Sequence, residues 1–69
     1  MNPSSHPGRR WIGHPVGRYW DDVKYIGIVD NFTPADEDYP ADLWHVSYQR
    51  DHDSEEISED ELIEALAAA

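Results

Sequence analysis

Apolar and polar residues alternate in short runs along most of this chain, and the period changes from that of a strand to that of a helix near residue 58. The strongest run is VKYIGIVDNFT, residues 23–33, rich in Val, Ile, Tyr and Thr, the composition of a strand. Val23, Tyr25, Gly27 and Val29 fall on one face and Ile26 and Ile28 on the other. Apolar residues on both faces predict a strand bent across a closed barrel or covered by another element. Gly27 in mid-strand suits a bulge or a tight bend.

An earlier strand is predicted over residues 14–20, HPVGRYW, with Pro15 at its start and a turn at Asp21-Asp22. Residues 34–42, PADEDYPAD, hold two Pro and four acids and read as a long exposed loop. A third strand follows over 43–49, with Trp44, Val46 and Tyr48 on one face, then a polar turn over 50–53 and a short fourth strand over 54–57. Ser58 with Glu61 three residues on has the capping-box spacing, and Glu59, Asp60 and Glu61 suit the first turn of a helix. Leu62, Ile63 and Leu66 make its apolar stripe. A helix this short is marginal alone, so it is expected to dock on the sheet, over Ile26, Ile28 or Leu43. Residues 1–10 read as a disordered leader, 11–66 as the domain and 67–69 as a tail.

Composition narrows the picture. A domain of about 60 residues buries only about 60% of its unfolded surface, and 69 residues without cysteine offer no disulfide to help. Three Trp, four Tyr and one Phe must supply much of the core, each burying roughly 150–250 Å². The net charge is −10, split as +2 over residues 1–24 and −12 over residues 25–69. Such a surface repels phosphate backbones, which argues against nucleic acid, and draws basic partners in. The same acids also serve simply to keep an aromatic-rich domain soluble. No run is long enough to span a membrane, which needs about 20 apolar residues, and no signal-peptide pattern is present.

Trp11-Ile12-Gly13, Val16 and Trp20, followed by Tyr25-Ile26-Gly27-Ile28-Val29, resemble the opening of Tudor domains. There an apolar pair precedes a Gly, a Val and a Trp follow, and an aromatic-x-Gly-x-Val strand comes next. Val46-Ser47-Tyr48 and the segment Asp51 to Ile57 resemble the family's aromatic-Asp-Asp-Gly-x-Glu stretch, and Asp60-Glu61-Leu62 its closing step into a helix. The resemblance covers roughly residues 11–63. The chain departs from the pattern in one extra residue between Tyr48 and Asp51, in His52 where a turn Gly is usual, and in the long 34–42 loop.

The resemblance implies an all-β fold: a small SH3-like, Tudor-like barrel of four to five strands with a short C-terminal helix. It also implies a chromatin-associated, nuclear protein that binds a basic peptide or histone tail, methylated on lysine, and other chromatin proteins. Carried over by position, the pocket is Trp20, Tyr25 and Tyr48 with Asp51 as its acid and Asp53 as a further wall; Phe32 and Tyr39 stand by as substitutes. The chemistry is sound in itself. A methylated ammonium is bulky, weakly hydrated and cationic, and ring faces attract it by roughly 0.5–2 kcal/mol each. Against this stands the use of the same rings as core, which is the expectation for Trp44, with Trp11 as a lid. Two other readings stay open: a module that docks a proline-rich or other partner peptide whatever its methylation, and a structural spacer.

An enzyme is not expected, because no Ser/His/Asp set, tuned acid–base pair or Gly-rich phosphate loop is visible. No cofactor is called for. The acid run at 55–64 lacks calcium-loop spacing, and Asp51-His52-Asp53 reads as a solvated turn rather than a metal site.

Overall fold

A computed structural model of the chain describes residues 7–50 and 53–69. Four antiparallel strands, β1 (Pro15–Trp20), β2 (Val23–Thr33), β3 (Leu43–Tyr48) and β4 (Ser54–Ile57), form one open sheet in the order β1-β2-β3-β4, and helix α1 (Glu59–Ala67) follows. The elements sit within a residue of where the alternation predicts them. The expected barrel is not closed by strand pairing: among the described residues β1 pairs with β2 alone and β4 with β3 alone.

Register decides which side chains share a face. Val16, Arg18 and Trp20 stand opposite Gly27, Tyr25 and Val23; Gly27 and Val29 stand opposite Tyr48 and Val46; Val46 and Trp44 stand opposite Glu55 and Ile57. This is the core side, since Val16, Val29, Val46 and Ile57 are sealed from solvent on it. Trp44 is buried as expected.

The irregularity of β2 lies at Asp30 rather than at Gly27. The pairing steps from Val29–Val46 to Asn31–His45, leaving Asp30 as the extra residue, and the phase change returns Phe32 to the core opposite Trp44. Gly27 has another use. A Cβ there would lie under 3 Å from Val46 Cγ1 and the Tyr48 ring, so the bare backbone lets that ring lie across β2.

Helix α1 packs against β1 and β3, not over Ile26 or Ile28. Those two isoleucines pair with Gly17 and Pro15 on the sheet's other face, where Ile26 is exposed. The buried helix residues are Leu62 and Ala65, with Leu66 partly buried; Ile63, expected in the stripe, is 59% exposed. The small Ala65 three residues after Leu62 lets the helix come close, and Gly17 does the same from β1, where a Cβ would run into the Ala68 carbonyl.

The segment before β1 departs from the expected disordered leader. Residues Pro7–Trp11 form a 3-10 turn with Gly8 buried, while residues 1–6 lie outside the described part. The Trp44 indole N–H donates to the Gly8 carbonyl at 2.9 Å. A buried indole needs such an acceptor, and this one pins the turn to the core. Trp11 packs against that core, as a lid would. No helix of the described residues is long and apolar enough to cross a membrane.

Candidate functional site

The core side of the sheet extends beyond the core itself. Toward the β1–β2 turn the core-side positions are Arg18, Trp20, Val23 and Tyr25, with Tyr48 beside them on β3. Trp20 and Tyr25 are diagonal neighbours across β1 and β2, and their ring centroids lie 5.0 Å apart with planes at 59°. Tyr48 stands opposite Gly27, and its ring lies 5.1 Å from Trp20 with planes at 75°. The three rings bound an open pocket of about 350 Å³, completed by Asp53, Ser54 and Glu55.

The walls differ in access. Trp20 is 40% exposed, whereas Tyr48 is 2% exposed. Tyr48 therefore belongs to the core and also forms the pocket floor, and Tyr25 stands half-buried between them. The turn that sets Trp20 beside its partners is tight: Asp21 and Asp22 have φ of 51° and 64°, the two positive values of a type I′ hairpin.

Of the acids expected at the site, Asp53 lines the pocket, and its carbonyl accepts the Tyr48 N–H at 2.8 Å. Asp51 lies outside the described residues. Phe32 packs on Trp44 in the core, and neither it nor Tyr39 lines the pocket. The acid that sequence reasoning missed is Glu55, whose Oε2 accepts the Tyr48 hydroxyl at 2.6 Å. A signal for it existed. Glu55 precedes Ile57 by two, so it shares the face of the one apolar residue in its strand.

Arg18 joins the site to the rest of the fold. Its Nε stands 3.8 Å from Glu55 Oε2 and its Nη1 3.3 Å from Glu61 Oε2, so one guanidinium links β1, β4 and α1. Burial pushes the Tyr48 hydroxyl far above the usual tyrosine range, and its bond to Glu55 adds to this. Burial pulls the Glu61 carboxyl up, but the Ser58 N–H and Arg18 together hold it below its ordinary value. Two rings also carry a cation of the chain's own: Arg18 lies 5.9 Å from the Trp20 centroid and Arg50 5.6 Å from that of Tyr25, both within the reach of about 6 Å for such contacts.

A second polar group lies at the bulge on the outer face. The Ser47 hydroxyl donates to one oxygen of Asp30, and His45 Nδ1 meets the other, each at 2.5 Å. The Ser47 bond leads in holding the Asp30 carboxyl below its ordinary range, against the opposing effect of burial, with His45 helping. The acid is central here, and both Ser47 and His45 bond to it. A nucleophile needs its base as hydrogen-bond partner, so the group does not have the order of a catalytic triad. Among the described residues no group of three or more His, Cys, Asp or Glu is placed to hold a metal ion.

No family model, curated protein or solved structure matches this chain.

Proposed function

We propose that the protein is a non-enzymatic binding module whose ring-lined pocket takes a methylated lysine on a basic, histone-like peptide. The observation that carries the reading is the arrangement of Trp20, Tyr25 and Tyr48 around one opening, beside Glu55 and Asp53. The ring planes meet at 59° and 75°. Such tilted walls make a corner for a rounded tetrahedral cation. A planar guanidinium prefers to lie flat between parallel faces, so the shape favours lysine over arginine. Two to three ring contacts at roughly 0.5–2 kcal/mol each, plus a carboxylate, amount to weak binding of about 10 μM to mM. The −12 carried by residues 25–69 speeds the approach of a basic chain.

In this reading the open meander and its helix are a Tudor-like barrel in which Arg18 and α1, rather than a strand pair, bridge β1 and β4. The protein then acts among chromatin proteins in the nucleus, a placement that rests on the resemblance of residues 11–63 alone.

The test is an NMR titration with a basic peptide carrying an unmodified or a methylated lysine, on the natural chain and on Trp20→Ala. The methylated form is expected to shift the Trp20, Tyr25 and Tyr48 signals at lower concentration, and Trp20→Ala to weaken it roughly tenfold. Equal responses to the two peptides would remove methyl recognition and leave methylation-independent docking.

A further inference from the structure

One cation of the chain stands where it competes with a ligand for the pocket's charge. Arg18 shares the inner face of β1 with Trp20 and reaches Glu55 and Glu61 at 3.8 and 3.3 Å. Its side chain is 24% exposed, so salt screens it less than a surface arginine. The Glu55 oxygen that it faces is the one that accepts the Tyr48 hydroxyl. That carboxylate is engaged before any ligand arrives. Asp53, the pocket's other acid, lies exposed at the rim, and Arg50 sits over Tyr25.

We propose that Arg18 is a specificity-determining residue: by neutralising Glu55 it removes the attraction that this carboxylate would offer any lysine ammonium, and shifts the basis of choice toward contact between methyl groups and rings. The inference rests on the pocket being a methyl-ammonium site. Unmodified and trimethylated lysine carry the same charge but use a bare carboxylate differently. The unmodified ammonium has three N–H donors and forms a short charge-assisted hydrogen bond. The trimethylated one has no donor, and its methyl groups hold the charge away from the oxygen. An unshielded Glu55 therefore strengthens the wrong ligand more than the right one.

The probes are acetyl-Gly-Lys-Gly-amide and its trimethyl-lysine form, whose neutral flanks isolate the pocket, titrated at low salt and followed by NMR. The ratio of the two Kd values is the readout. Arg18→Gln removes the charge and is expected to shrink that ratio by about three- to tenfold, through tighter binding of the unmodified peptide. Arg18→Met occupies similar space without charge and gives the same readout should Arg18→Gln not fold. On a Glu55→Gln background, where no carboxylate is left to uncover, Arg18→Gln should change the ratio by less than about twofold. Glu61→Gln leaves the guanidinium to Glu55 alone and should keep the ratio or widen it. A natural chain that binds both probes equally sinks the pocket reading and this inference with it. A natural chain that discriminates, with Arg18→Gln discriminating as well or better, overturns the inference alone.

Discussion

The Tyr48 hydroxyl is the most consequential single proton in the pocket. It is buried, it donates to Glu55, and it resists ionisation well beyond the ordinary tyrosine range. In the unfolded chain the same hydroxyl ionises near pH 10. The folded pKa is thus raised above the unfolded one, so its contribution to stability is complete below about pH 10 and is lost as pH rises beyond it. The expected outcome is a melting temperature that falls between about pH 10 and 12 more steeply in the natural chain than in Tyr48→Phe. The variant loses one hydrogen bond, worth about 0.5–1.5 kcal/mol at neutral pH, but has nothing there to ionise. Parallel melting curves for the two chains over that range would show that Tyr48 is not held neutral by the fold.

At the scale of elements, the β1–β2 hairpin sets Trp20 beside Tyr25 and does so on a pair of strained residues. Asp21 and Asp22 both adopt positive φ, where Asn-Gly is preferred. Replacing the pair by Asn-Gly is expected to stabilise the protein by about 0.5–1 kcal/mol, read as a shift in the urea midpoint at unchanged slope. A destabilised variant would mean that the two carboxylates make contacts which outweigh the backbone gain. The strands were legible in the sequence because alternation of period two reports burial directly, and β3 shows this in its unbroken sequence of half-buried and buried positions. The helix was legible in its start and less so in its face. Ser58 is the N-cap residue but makes no side-chain cap bond to the backbone; its hydroxyl reaches Glu61 Oε1 at 3.3 Å instead. Counting apolar residues favoured Ile63, whereas the small Ala65 is the one that is buried. The expectation for Trp20, Tyr25 and Tyr48 came from the family resemblance, carried over by position, and the three rings do lie together in the fold. Glu55 was only half legible: its place two before Ile57 puts it on the inner face, but its link to Arg18 on β1 is a long-range contact that no local pattern carries. The packing of the Pro7–Trp11 turn was hidden for the same reason: its anchor, Trp44, lies 36 residues away.

On the scale of the whole molecule, fifteen acids face five Lys and Arg, and the resulting net charge of −10 remains however those five are paired. Thirteen acids and one arginine occupy residues 25–69, and like charges at such density repel in the compact state. Salt should relieve this. The pairs it would weaken are few, and Arg18 is partly shielded from it. Raising NaCl from about 10 mM to about 300 mM is expected to stabilise the fold by about 1 kcal/mol, an increase of about 4–8 °C in Tm for a domain of this size. The binding of a basic peptide should move the other way, since its approach depends on the same acids. Opposed trends, with Tm rising and affinity falling across one salt series measured by circular dichroism and NMR titration, would tie both properties to the same uncompensated charge. A Tm that falls with salt would mean that the acids are arranged in net attraction, and the charge excess would then be a source of stability rather than a cost carried for binding.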